Sequence, residues 1–232
     1  MTSAPNVVML LARTSLFAAM DESDRAAVAD QMREVKFEPG RLIFARSDLG
    51  QSIYLLIEGR VRLSVLTPDG KELMLRHAGP GDVFGEIAAL DGGPRTADAT
   101  AVTRVRAMVL THTSLFALIE RRPGMVRSAL RFVCQRLRET SDQVESIALY
   151  RLEARLARYL LSLVRGLASE CEITEVQLPM SQGDLALMLG ATRQSVNAAL
   201  GALVDTGAIE RSGNRIVCRL GKLAGIAAGE IS

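Results

Sequence analysis

Between Gly124 and Ile147, the side chains Val126, Leu130, Val133, Leu137, Thr140, Val144 and Ile147 fall at alternating steps of four and three residues. All but Thr140 are apolar, and arginines and carboxylates occupy the other helical faces. This is the heptad seam of a helix that packs lengthwise against another helix. No second run of this length occurs in the chain. The expected partner is therefore the same helix of a second copy, wound in parallel. Thr140, followed by Ser141, is the anomaly, because hydroxyls weaken an apolar seam unless something polar meets them. Two explanations stand at this point: a tolerated polar residue that fixes register, or a small ligand docked at the seam.

The 232 residues suffice for one large domain or two smaller ones on either side of that helix. A net charge of +2 gives no bulk electrostatic case for nucleic acid, and from Arg151 onward nine basic side chains face eight acidic ones. If this part binds DNA, shape and placement must carry it. Cys134, Cys171 and Cys218 are scattered and form no CxxC pair, which points to reduced thiols in a cytoplasm and not to a disulfide frame or a metal knot. The apolar patch in Met1 to Leu11 has no preceding basic segment or cleavage signal, and no apolar run approaches a membrane span. A soluble cytoplasmic protein with no membrane partner and no metal is expected.

Asp21, Asp24, Ala27, Val28 and Met32 after Leu16-Phe17 read as a short amphipathic helix, capped by Asp21 or Ser23. From Val35 the pattern becomes short strands. Val61, Leu63 and Val65 alternate with Arg62 and Ser64, the period of a half-buried strand. Glu58-Gly59 and Pro68-Asp69-Gly70 are hairpin turns, Leu73 and Leu75 continue the meander, and Gly79-Pro80-Gly81 turns it again. Val105, Ala107, Val109 and Thr111 form a late strand. With no helix expected from Val35 to Asp82, this half is an antiparallel barrel or roll.

Within it lies Phe84-Gly85-Glu86-Ile87-Ala88-Ala89-Leu90-Asp91-Gly92-Gly93-Pro94-Arg95-Thr96-Ala97. Gly85 permits close backbone approach, and Glu86 to Leu90 can form one helical turn whose free N–H groups suit an anion. Arg95 can add a forked contact to a phosphate, and Glu86 can accept from a ribose hydroxyl. Taken singly, Glu86 and Arg95 suit an ordinary salt bridge between neighbouring strands and Gly85 an ordinary turn. Their order together is specific.

This segment resembles the phosphate-binding cassette of cyclic-nucleotide-binding domains, and the chain from about Leu16 onward resembles the cyclic AMP receptor protein/Fnr family of bacterial regulators. The resemblance implies that Glu86 takes the ribose 2′-hydroxyl and Arg95 the cyclic phosphate with Thr96, with backbone donors near Gly85, Ile87 and Ala97. It extends to Arg136-Leu137-Arg138-Glu139-Thr140-Ser141-Asp142, similar to the family's central-helix segment in which a Thr-Ser pair touches the purine from both subunits. Arg136, Thr140 and Ser141 thereby join the expected ligand set. With no cysteine before Cys134, the iron–sulfur members of the family are a poor match. His77 and His112 are the only histidines, and as lone strand histidines they suit packing better than haem ligation. Thr140 and Ser141 point to cyclic AMP as the effector, whereas Thr96, where serine is frequent among cyclic AMP binders, resembles cyclic GMP-binding domains. Cyclic AMP is the expectation and cyclic GMP its competitor.

After the seam, Tyr150 to Leu167 reads as a helix burying Leu152, Leu156, Tyr159, Leu160 and Leu163, ended by Gly166 and the polar segment Ser169 to Glu175. Ser181-Gln182-Gly183-Asp184 opens a short helix with Leu185, Ala186 and Leu189 inside. Gly190 turns the chain, and Thr192 caps a second helix, Arg193 to Val204, with Val196, Leu200 and Leu203 inward. Two short helices joined by a glycine turn form a helix-turn-helix. Arg211-Ser212-Gly213-Asn214-Arg215, between Ala208-Ile209 and Ile216-Val217, supplies a wing. Periodicity alone leaves a helical hairpin without special function as an equal alternative. Arg193, Gln194 and Asn197 at the outer N-terminal end suit base edges in a major groove, and Thr192 and Ser195 suit phosphates.

By resemblance Thr192 to Asn197 matches the family's recognition helix, with Ser181 also at the DNA. Gln194 and Ala198 depart from the Glu and Arg usual in enteric members. The expected fold class is α+β: a cyclic-nucleotide-binding antiparallel β-roll over residues 1–122, a dimerisation helix over 123–149 and a winged helix-turn-helix over 150–232. Double-stranded DNA, a cyclic nucleotide, a second copy of the chain and RNA polymerase are the expected partners. No metal-spaced carboxylate pair, Ser/His/Asp set or Walker loop is present, so no enzyme is expected.

Overall fold

The computed structural model describes residues 4–18, 20–121, 124–166 and 171–229. The chain divides into two compact units, Met1–Lys71 with Leu75–Thr140, and Glu72–Met74 with Ser141–Ser232.

The first unit opens with α1 (Ala4–Arg13) and α2 (Glu22–Asp30), the latter capped by Asp21, whose side chain accepts from Asp24 N. Strands β1 (Arg33–Phe37), β2 (Leu42–Phe44), β3 (Ser52–Glu58), β4 (Val61–Leu66), β5 (Glu72–Ala78) and β6 (Val83–Phe84) follow without a helix between them. Then come α3 (Glu86–Asp91), β7 (Asp98–Ala101), β8 (Val105–Thr111), α4 (His112–Arg121) and α5 (Gly124–Leu149), with Glu72–Met74 of β5 and α5 from Ser141 onward counted in the second unit. The strands make two four-stranded sheets ordered β1-β8-β3-β6 and β2-β7-β4-β5, the antiparallel roll expected.

Between them lies a core of Leu56, Val61, Leu63, Phe84, Ala99 and Ala107. Another core, with Val7, Leu11, Phe17, Val28, Leu115 and Phe132, takes in Ile53, Leu55 and Leu110. β3 and β8 thus carry buried side chains on both faces, which erases strict alternation in them. In β4 the alternation also breaks, with Ser64 buried opposite Asp98 and Val65 only half-buried.

A tight bracket joins β2 to β3. Ser47 adopts φ 72°, the one non-glycine residue with positive φ among the described residues. Its N donates to Arg95 O at 2.9 Å, and Arg95 N donates to Asp48 O at 2.8 Å. A left-handed serine costs about 1 kcal/mol or more. Ser47→Gly is expected to raise stability by about 0.5 kcal/mol after the added unfolded-chain entropy is counted. Urea melts check this, and a lowered midpoint would refute it.

The second unit contains α6 (Leu152–Gly166), β9 (Ile173–Gln177), α7 (Gln182–Met188), α8 (Arg193–Asp205), β10 (Ile209–Ser212), β11 (Arg215–Arg219) and α9 (Leu220–Ala228). α6 starts at Leu152, two residues later than expected. It buries Leu156 and Leu160 as anticipated, together with Ala154, Ala157 and Val164, while Leu152, Tyr159 and Leu163 are partly buried against the same core. Leu167 and Ser169 lie outside the described residues. Ile173 to Glu175, expected as part of a polar break, instead belongs to β9, which pairs with β11 in a three-stranded sheet ordered β10-β11-β9.

Candidate functional site

The cassette starts where β6 runs into Gly85 at φ 75°. A Cβ there would stand 2.6 Å from Arg95 Nη1, 3.2 Å from Phe44 and 3.3 Å from Ser52 O, so position 85 demands glycine for conformation and for space. Arg95 is only 5% exposed. Its Nη1 donates to Gly85 O at 2.6 Å, and its guanidinium lies 4.2 Å from the Phe44 ring centre and 5.8 Å from that of Tyr54. Tyr54 stacks on Phe84 at 4.9 Å, which gives this platform a second layer. Arg95 Nε is buried and lacks a hydrogen bond. Burial pulls the Arg95 pKa below the ordinary arginine range, against the opposing influence of Tyr54, Glu86 and Asp48. A desolvated cation with an unused donor beside a tight turn favours an anionic partner.

Glu86 is 5% exposed, and its carboxylate stands 3.7 Å from Arg136 Nε of α5. This pairing reaches a helix and is not the contact between neighbouring strands considered as an alternative. Arg136 Nη1 donates to Glu139 at 2.6 Å, and its guanidinium lies 4.9 Å from the Phe132 ring centre. Its Nε is buried without a hydrogen bond, because 3.7 Å permits attraction of charges but no shared proton. Ala97 is buried, whereas Ile87 and Thr96 are exposed. Thr140 and Ser141 are exposed on α5.

Along α5 the core-facing residues are Met125, Ser128 and Phe132. The heptad residues are on another face. Leu130 is 61% exposed, Leu137 66% and Val144 62%, and Val126, Val133 and Ile147 are exposed too. An exposed apolar stripe of this kind is the type of surface that marks interaction sites.

In the second unit, Ser181 caps α7 by accepting from Asp184 N at 3.1 Å, and Gly190 makes the turn at φ 59°. Thr192 caps α8 by accepting from Ser195 N at 3.1 Å, and the two hydroxyls share a 2.8 Å hydrogen bond. That bond uses one hydroxyl proton and leaves the other for an outside acceptor. Val196, Ala199, Leu200 and Leu203 hold α8 to the core, while Arg193, Gln194 and Asn197 are exposed. The wing turns at Gly213, where Arg211 Nε donates to Gly213 O at 3.2 Å, and Arg215 pairs with Glu175 at 2.8 Å.

Residues 34–122 match the family model described as "Cyclic nucleotide-binding domain", and residues 154–226 match "Crp-like helix-turn-helix domain". The "CRP-like cAMP-activated global transcriptional regulator" of Mycobacterium tuberculosis is 33% identical over 209 residues, 90% of this chain and 93% of the relative. The chain belongs to the Crp-like family of transcriptional regulators. The "Cyclic AMP receptor protein" of Thermus thermophilus is 33% identical over 82% of this chain and 85% of that protein. The structure of FixK2 from Bradyrhizobium japonicum is similar with a TM-score of 0.72 at 26% identity, covering 84% of this chain and 96% of that one.

This Crp-like chain is a DNA-binding regulator with a cyclic nucleotide-binding domain, not an enzyme. No helix among the described residues is long and apolar enough to cross a membrane. His112 is the first residue of α4 rather than a strand residue; its Nδ1 pairs with Ala89 O at 2.8 Å, and its ring packs tilted against Phe116 with centroids 4.4 Å apart. Phe44, Tyr54 and Gly50 were missed from sequence. A Cβ on Gly50 would come 2.2 Å from Ala88 Cβ and 3.0 Å from Arg95 Nε. The phenylalanine and tyrosine lie on two strands far from the cassette in sequence, so only pairing of the sheets reveals them.

Proposed function

We propose that the chain is a cytoplasmic homodimeric transcription factor switched by cyclic AMP. The nucleotide is held by the roll through Arg95 and Thr96 on the phosphate, backbone groups near Gly85, Ile87 and Ala97, and Glu86 on the ribose 2′-hydroxyl. Arg136 braces Glu86, and Thr140 meets the purine together with Ser141 of the second copy. The observation that carries this reading is buried Arg95 held on Gly85 O, with buried Glu86 of the same cassette paired to the partly buried Arg136, and a buried Nε without a hydrogen bond on both arginines. The choice of cyclic AMP is supported by the names of the two relatives that are 33% identical.

The exposed apolar stripe of α5 supplies the dimer contact. Dimers then read a two-fold operator with half-sites about 34–36 Å apart, and RNA polymerase is the downstream partner. Ligand shifts the population only by as much as it prefers the DNA-competent state. A second reading, the same architecture under cyclic GMP, another effector or none, is favoured by the exposed Thr96 and by the likeness to FixK2, whose name carries no nucleotide.

Mobility-shift selection from random DNA, with cyclic AMP, with cyclic GMP and without either, tests both. Cyclic AMP-dependent enrichment of a palindrome is expected, and enrichment that ignores both nucleotides would sink the first reading. In the same assay Arg193→Ala should lower affinity by about 1–3 kcal/mol and relax one guanine position in each half-site. Unchanged affinity and logo would remove α8 from the DNA.

A further inference from the structure

We propose that Arg158 is a positioning residue that holds the bend between α5 and α6 and so aims α8, an inference that rests on the DNA-reading role proposed for α8. All the groups involved belong to the second unit, which takes in α5 from Ser141 onward. α5 ends at Leu149, Tyr150 and Arg151 leave the helix, and α6 starts at Leu152. Nothing local secures that junction. Leu149 to Ala154 contain no glycine, proline or asparagine to close α5, and α5 has no basic residue in its last turn. Arg151 O accepts from Arg155 N at 3.0 Å, which makes Arg151 the N-cap of α6. An arginine side chain has no acceptor with which to cap.

The junction is held instead by a clasp around Arg158. Its guanidinium lies 3.6 Å from the Tyr150 ring centre, and its Nη1 stands 3.8 Å from Glu145 of α5. The Tyr150 hydroxyl donates to the same carboxylate at 3.3 Å. Arg158 Nε donates to Ala227 O at 3.1 Å, in the last turn of α9. That carbonyl is one of the terminal acceptors a helix leaves without a partner, and α9 has no basic residue in its last turn. One side chain thereby ties the end of α5, the bend, α6 and α9 together. The ion pair is long and partly exposed on both sides, so it contributes little beside the contact with the ring. Leu156 and Leu160 of α6 share one core with Val196 and Leu200 of α8. The direction in which α6 leaves α5 therefore carries α8 with it.

Amide hydrogen exchange on the full chain tests the clasp. Arg158→Met, which keeps the apolar stem, should speed exchange of the Ile147 to Tyr150 amides by at least about ten-fold, the scale of a lost cation–π contact and its accompanying hydrogen bond. Amides of α8 should be unaffected. Tyr150→Leu should act like Arg158→Met, whereas Tyr150→Phe, which keeps the ring face, should match the unaltered chain. Unchanged exchange in Arg158→Met overturns the clasp, and so does an equal effect of Tyr150→Phe and Tyr150→Leu. Arg158→Met should also bind the selected operator about ten-fold more weakly with the same base preferences. The ratio of its operator affinities with and without cyclic AMP should collapse, while a merely destabilised reader would keep the ratio of the unaltered chain. A retained ratio overturns the positioning role. If the unaltered chain binds DNA without responding to cyclic AMP, the nucleotide switch falls, and exchange with operator affinity still decides the role of Arg158.

Discussion

Replacing Arg95 by leucine is expected to weaken cyclic nucleotide binding by about 2–5 kcal/mol, roughly 30-fold or more, while the roll stays folded. The magnitude is that of removing one partner from a buried, hydrogen-bonded charge pair. The fold should survive because Arg95 is already desolvated, with its pKa lowered, and holds Gly85 O by one hydrogen bond. Leucine keeps apolar contact with Phe44, which lies 4.2 Å from the guanidinium. Calorimetry measures the affinity and circular dichroism the fold. Unchanged affinity would remove Arg95 from the site. Full ligand-free operator binding by Arg95→Leu would favour the regulator that answers to another effector.

The second large effect belongs to the stripe on α5. Leu137→Glu is expected to convert a dimer to a monomer at micromolar concentration and to abolish operator binding. Burying a leucine is worth about 1.5–3 kcal/mol, and a symmetric interface loses it twice. Two glutamates facing each other in an apolar seam add the penalty of desolvating like charges. Light scattering gives the mass, and a variant that remains dimeric would place the interface elsewhere. Leu137 is 66% exposed in the single chain and is absent from the buried stripe of Met125, Ser128 and Phe132, so folding of the monomer should be little disturbed.

Elements with local signals were legible in the sequence. The long helix declared itself by period, α7 and α8 by Ser181 and Thr192, and the hairpins by their turn residues. Of the candidate site, the order Gly85, Glu86, Arg95 marked the cassette, and the run Arg136 to Asp142, with hydroxyls at Thr140 and Ser141 in or beside an apolar seam, marked the helix. Other elements depended on distant partners. β9 has five residues and pairs with β11 about forty positions later, while α9 begins without a side-chain cap hydrogen bond and α1 was seen only as an apolar patch. The same holds for side chains. Nothing local says that Arg95 folds beneath Gly85 against Phe44; that follows from sheet pairing that brings remote strands together.

The close contact at Gly50 bears on how such a regulator can change its diet of signals. With Ala88 so near that even a methyl group would collide, the β2–β3 bracket, α3 and Arg95 form a unit without slack. Drift at the phosphate end must therefore shift backbone, and few substitutions survive that. In the proposed site the opposite end rests on an exposed side chain, Thr140 on α5, which can be exchanged while every main-chain atom stays in place. New effectors in this lineage should arise from exchanges at the base, with the phosphate cradle inherited intact.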